Sequence, residues 1–198
     1  MIDEATFFGD ISGTREEILE ATYYALYEYG YAGLTVGKIG DYFDKSQSLI
    51  YHHYDDKDGL LVGLLEYMLE QLEHQVPFPE EPPEDYIDVV VDQIFDETGN
   101  QDGAFTQAVI ELRAQTAHNE EYYELFRRSD DFIRKQLTQI IRAGVEKGVF
   151  DVDEPKESAA LFQTVLIGIQ TERLTADTKT IAESKAEFRR YVDTCLRS

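Results

Sequence analysis

Between Phe43 and Ser46 there is room for only two residues, yet the apolar spacing on both sides is helical, so two short helices must turn sharply into one another. That constraint selects a helix-turn-helix. Thr35 is a good N-cap for the first of the pair, in which Val36, Ile39 and Phe43 fall on one inward face. Ser46 caps the second, with Ile50 and Tyr54 turned inward as anchors. Upstream, residues 14 to 29 set Ile18, Thr22, Ala25, Leu26 and Tyr29 on one stripe, opened by a Thr14/Glu17 capping box and stopped by Gly30.

The remainder also reads as helix. Residues 57 to 75, after the cap Asp56, carry Leu60, Leu61, Leu64, Leu65, Met68, Leu69 and Leu72 as one stripe. Four of the five prolines then fall between Pro77 and Pro83, and interrupt it. Beyond them the spacing predicts helices over 84–98, 103–117, 119–147, 155–173 and 178–196. Gly99 and Gly148 are the stops, Asn119 is a cap, and Thr180 with Glu183 forms a second capping box. No alternating strand pattern competes. The expected fold is all-α, divided at 1–57 and 58–198 into a three-helix helix-turn-helix domain and a larger helical domain.

A helix of this kind reads DNA through its N-terminal turn. Gln47 could make a bidentate contact with adenine, Ser48 could bond several bases, and Leu49 could lie against a thymine methyl. Tyr51, His52 and His53 lie further along, within reach of phosphate oxygens. Lys57 opens the next helix, where unpaired N–H groups and a cation together favour an anion.

The stretch from Thr35 to Leu60 resembles the N-terminal domain of TetR-family transcriptional regulators. In that family the recognition helix ends in a Leu-Tyr-Tyr-His-Phe run followed by a Lys that starts the fourth helix. Here the run is Ile50, Tyr51, His52, His53 and Tyr54, with Lys57 in register. The resemblance covers residues 14 to 62. The expected DNA-contacting set is Thr35, Lys45, Ser46, Gln47, Ser48, Leu49, Tyr51, His52, His53 and Lys57. Three departures weaken the positive charge or alter the turn: Asp44 and Lys45 stand for a usual Gly-Val, Gln47 for a usual Lys, and Asp55 for a usual Pro.

The resemblance further implies a homodimer that binds a double-stranded, near-palindromic operator as a repressor and is released by a small-molecule effector, with no cofactor and no metal. The C-terminal domain would then be the ligand-binding and dimerisation domain, its last two helices pairing with their twins. Residues 159 to 169, AALFQTVLIGI, are apolar nearly all round, as a helix buried on both sides would be, and are too short to span a membrane. Candidate effector contacts are Phe95, Phe105, Leu112, Arg113, Tyr122, Tyr123 and Phe126, with Ile110 and Phe132 nearby in sequence. An acidic pocket would suit lipophilic cations, whereas Arg113 would suit a carboxylate or acyl thioester.

Charge sets this chain apart from an ordinary DNA binder. It carries 40 Asp plus Glu against 18 Lys plus Arg, a formal charge of −22. Residues 1 to 58 alone hold twelve acids and four bases, 4 − 12 = −8, where counterion release normally asks for a basic footprint. The pattern, with Lys scarce and acid on every solvent face, is that of proteins from extreme halophiles. In molar salt the Debye length falls to roughly 3 Å and repulsion between net charges is screened. The rival reading is a dimeric sensor or protein-binding adaptor that has lost DNA binding.

Enzymatic chemistry finds no support. His52, His53, His74 and His118 include no pair at metal-ligand spacing, the ExxH signature of di-iron bundles is missing, and neither a Gly-rich phosphate loop nor a nucleophile elbow occurs. Cys195 stands alone, so no intrachain disulfide forms. The acidic start, MIDEA, is unlike a secretory signal, and the expected location is the cytoplasm.

Overall fold

The computed structural model describes residues 8, 13–75, 82–95 and 103–197, apart from the side chains of residues 72, 74, 75 and 103–106. The expectations for Gly99, most of the proline run, and the side chains of His74 and Phe105 lie outside that description. The described elements are α1 (Thr14–Gly33), α2 (Val36–Gly40), α3 (Gln47–His53), α4 (Lys57–Gln75), α5 (Pro83–Phe95), α6 (Gly103–Gln115), α7 (Glu120–Lys147), α8 (Pro155–Glu172) and α9 (Thr178–Tyr191). A π-helical turn, Val192–Leu196, follows α9 where the spacing had predicted continued α-helix. The fold is all-α. Extended pairing among the described residues is an isolated antiparallel bridge between Phe150 and Arg197. No described helix is long and apolar enough to cross a membrane.

Local cap chemistry explains most of the helix starts. Thr35 Oγ1 accepts from the Lys38 amide at 3.2 Å, Ser46 Oγ from Ser48 at 3.3 Å, and Asp56 Oδ1 from Gly59 at 2.9 Å. Asn119 Oδ1 accepts from both Glu121 and Tyr122, at 2.9 and 3.2 Å. Each satisfies an amide that the helix itself leaves without a partner. Gly148, at φ 72°, ends α7 as expected.

The two capping boxes do not form. At α1 the cap position belongs to Gly13, one residue earlier. Thr14 Oγ1 instead accepts from Lys45 Nζ at 3.3 Å, and Glu17 pairs with the same ammonium. At α9 the cap is Asp177, which accepts from the Thr180 amide at 2.8 Å, while Glu183 pairs with Lys179. That amide bond holds the Asp177 carboxyl below its usual range. Asp177 takes the amide from which Glu183 would accept in a capping box, because the aspartate itself occupies the cap position and reaches that amide directly.

Helix α1 is broken at Gly30, whose φ of 63° and ψ of 172° are non-helical. The expected stop is therefore real, but the chain resumes helix for one more turn before Leu34. Residues with a Cβ avoid that conformation, so glycine is required here.

Packing separates the described chain into two compact units. The first takes α1 to α4, α6 and residues 120–127 of α7; the second takes α5, α7 from residue 128, α8, α9 and the π turn. In the first, Ile18, Leu26, Ile39, Phe43, Ile50, Leu60 and Leu64 meet Leu112, Tyr122 and Phe126 in one core. In the second, Ile87, Phe95, Leu137, Ile141, Phe162 and Phe188 form another. This partition by packing differs from the expected division at 57/58, since α6 and the start of α7 share the core of the helix-turn-helix.

Candidate nucleic-acid interface

The recognition helix α3 is anchored by its apolar residues and presents its polar ones. Ile39, Phe43 and Ile50 are buried, and Leu49 is half-buried against the same core. Gln47, Ser48, Tyr51, His52 and His53 are exposed, with Tyr51 keeping 57% of its surface open. One exposed polar face on a helix whose Ile50 is buried against the core that holds Ile39 and Phe43 is the geometry that groove reading requires. Leu49 offers only part of its side chain to that face.

All four bases of this region have internal partners. Lys38 Nζ donates to the Gly33 carbonyl at 2.7 Å and lies 4.1 Å from the Tyr29 ring centroid. Lys45 is held by Thr14 and Glu17, and Arg15 lies 3.8 Å from Glu66. Lys57 Nζ donates to the Tyr31 carbonyl at 3.2 Å and sits 4.1 Å from the centre of its ring. The helix-turn-helix region therefore engages its few cations internally, two with carboxylates and two with carbonyls and aromatic rings, which leaves them less available to phosphates.

Tyr31, which sequence spacing does not single out, is gripped on every side. The break at Gly30 turns its amide to Glu111 Oε2 on α6 at 3.0 Å. Its carbonyl and ring take Lys57, and its hydroxyl lies 3.5 Å from Asp58 Oδ1, at the outer limit of a hydrogen bond. The same Asp58 oxygen accepts from the buried Tyr122 hydroxyl of α7 at 3.1 Å. Burial, and then the neighbouring Asp58 charge, push the Tyr122 hydroxyl well above its usual range, so it remains a donor. The first turn of α4 is thus tied both to the end of α1 and to the start of α7. The glycine beside Tyr31 was the visible signal; Glu111, 80 residues away, carried none.

The candidate effector residues divide between the two cores. Leu112, Tyr122 and Phe126 are buried in the first unit, where the Arg113 guanidinium lies 4.5 Å from the Phe126 ring centroid. Tyr123 is exposed on the same helix as Tyr122. Phe95 belongs to the second core, 5.9 Å from Phe188 between ring centroids. No group of three or more His, Cys, Asp or Glu residues that could hold a metal occurs among the described residues.

Comparison with known proteins agrees with this geometry. The sequence profile of bacterial regulatory proteins of the tetR family matches residues 18–64, and that of the C-terminal domain of BetI-type transcriptional repressors matches residues 83–197. The HTH-type transcriptional repressor AcnR of Corynebacterium diphtheriae is 38% identical over 55 residues, 28% of this chain and 29% of that protein. The chain thus aligns with less than a third of that curated relative's length. A TetR transcription regulator from Haloarcula marismortui superposes with a TM-score of 0.81 at 31% identity, covering 92% of this chain and 98% of its own. A transcriptional regulator from Saccharomonospora viridis, solved in complex with choline, shares the fold with a TM-score of 0.75 at 15% identity, over 93% of this chain and 97% of that one.

Proposed function

This chain belongs to the TetR family of transcriptional regulators, and we propose that it is a homodimeric repressor, acting in the cytoplasm, that leaves a near-palindromic operator when a small molecule binds its larger domain. The observation that carries this reading is the exposed face of α3, with Ser48, Tyr51 and His52 outward and Ile50 locked in the core. Two such helices enter successive major grooves roughly 34–36 Å apart. Thr35, Lys45, Ser46, His53 and Lys57 flank that face as candidate backbone contacts.

The effector acts by differential affinity for two settings of α4, since equal affinity would shift nothing. Support comes from the Tyr122–Asp58 bond, through which a ligand lodged against Tyr122, Phe126 or Arg113 would loosen the turn that carries Lys57. Leu112 and Tyr123 complete the proposed contact set within that unit.

The protein is further proposed to read DNA in molar salt. There, counterion release contributes little and close polar contacts carry affinity. Fluorescence anisotropy of the full chain on DNA from its own promoter region tests both parts. Saturable binding is expected in 2 M KCl, at least as tight as in 0.2 M. Lys57→Ala and Tyr51→Phe should each weaken binding to all sequences by about 0.5–1.5 kcal/mol, roughly two- to tenfold. An affinity that falls steeply with rising KCl, as several phosphate contacts dictate, would overturn the salt reading. The internal pairing of all four bases favours a second reading, an adaptor without DNA binding. No binding at any salt would establish that reading in its place.

A further inference from the structure

Gln47 opens the recognition helix, yet its side chain turns back onto α2. Its Nε2 donates to the Gly37 carbonyl at 3.2 Å. Helix α2 is only five residues long, so its last carbonyls have few amides ahead of them; the Asp41 amide serves Lys38, not Gly37. Gln47 supplies a donor to that carbonyl. The side chain reaches this position by lying across Gly40, where a Cβ would come within 2.4 Å of Nε2, 2.6 Å of Cγ and 2.9 Å of Cδ. No residue other than glycine leaves that space. The contact involves the whole distal half of the glutamine, so a Cβ at residue 40 would displace the side chain from Cγ outward.

We infer that Gly40 is a berth for Gln47, and that a residue which sequence spacing assigns to base reading is withheld from the groove. The inference rests on the proposed DNA-binding role. With Gln47 berthed, base edges are left to Ser48 and the open part of the half-buried Leu49, while Tyr51 and His52 reach phosphate oxygens. Ser48 Oγ already shares a 2.8 Å hydrogen bond with Ser46 Oγ, which fixes its direction. Gln47 then contributes by bracing the turn between α2 and α3, and the identity of residue 40 decides whether it reads sequence.

Selection from a randomised operator library in 2 M KCl, using the full-length protein, tests this. The parent and Gln47→Ala should enrich the same sequence. Gly40→Ala should displace the glutamine and add a preference for one base at one further position, roughly five- to 150-fold as expected of a bidentate contact. The double variant Gly40→Ala/Gln47→Ala should lose that preference again. A base preference that changes in Gln47→Ala alone overturns the inference. So that the berth is tested even if Gly40→Ala folds poorly, nuclear Overhauser contacts between Gln47 Hγ and Gly40 Hα are measured in the parent; their absence also overturns it. Enrichment of no sequence at any salt would refute the DNA-binding role and the reading assignment with it, while the same Overhauser contacts would still report on the berth.

Discussion

Leu161→Glu is expected to turn the protein into a monomer and to weaken operator binding by roughly 10²–10⁴-fold, the effective-concentration advantage of two linked half-sites. Helix α8 has an inward face, Ala159, Phe162, Gln163 and Ile169, which its own unit buries. What remains exposed past its first turn carries no charge, but Leu161, Gly168, Thr164 and Thr171. Leu161 keeps 39% of its surface exposed, Leu174 just after the helix keeps 45%, and around Gly168 a side chain would meet nothing within 4 Å. We propose that a second copy of this chain covers that face, where a small residue at 168 would let two helices approach closely. A carboxylate placed there would be desolvated without a partner on dimerisation, an energetic cost of several kcal/mol. Light scattering behind size exclusion gives the oligomeric state, and anisotropy on the same sample gives the affinity. A variant that stays dimeric, or a monomer that binds as tightly as the parent, would refute the proposed interface.

Gly30→Ala has the next largest expected effect. At φ 63° and ψ 172° the backbone occupies a region essentially reserved for glycine, and a Cβ there costs about 1–3 kcal/mol. For a chain of this length each kcal/mol corresponds to about 2–4 °C, so Tm should fall by roughly 2–12 °C. Function should suffer beyond that loss. Relaxing the break rotates the Tyr31 amide away from Glu111 and its carbonyl away from Lys57, so the first turn of α4 loses its hold on α1. Gly37→Ala is the control, because Gly37 has no positive φ and the added carbon would meet nothing nearer than Thr35 Oγ1 at 3.7 Å, an ordinary contact. Circular dichroism melts of both variants in 2 M KCl decide the matter; equal Tm values would mean the break at Gly30 carries no strain for alanine.

Legibility in the sequence followed the range of each interaction. The caps at Thr35, Ser46, Asp56 and Asn119 could be read because donor and acceptor lie within three residues of each other. The boxes at Thr14 and Thr180 misread equally local patterns. Glu17 was claimed by Lys45, distant in sequence, and the Thr180 amide by Asp177, which takes the cap position instead. The buried faces of α1 to α4 were visible because helical period and burial coincide there. Periodicity says which residues face inward. It does not distinguish the core that receives Phe95 from the one that receives Leu112, Tyr122 and Phe126, because that choice depends on which helices pack together.

By itself, then, the sequence determined an all-α chain, a helix-turn-helix from Thr35 to Tyr54, and a surface charge of one sign. These follow from side-chain period, cap chemistry and composition, which are local or additive properties. Only the tertiary structure decided where the few cations go, that Tyr31 joins α1, α4 and α6, that Tyr122 shares Asp58 with it, and that Gln47 lies on Gly40. Those are pairings between groups up to 80 residues apart. Their geometry exists only once helices have packed, because a hydrogen bond or a close contact is set by positions to a few tenths of an ångström and not by residue type.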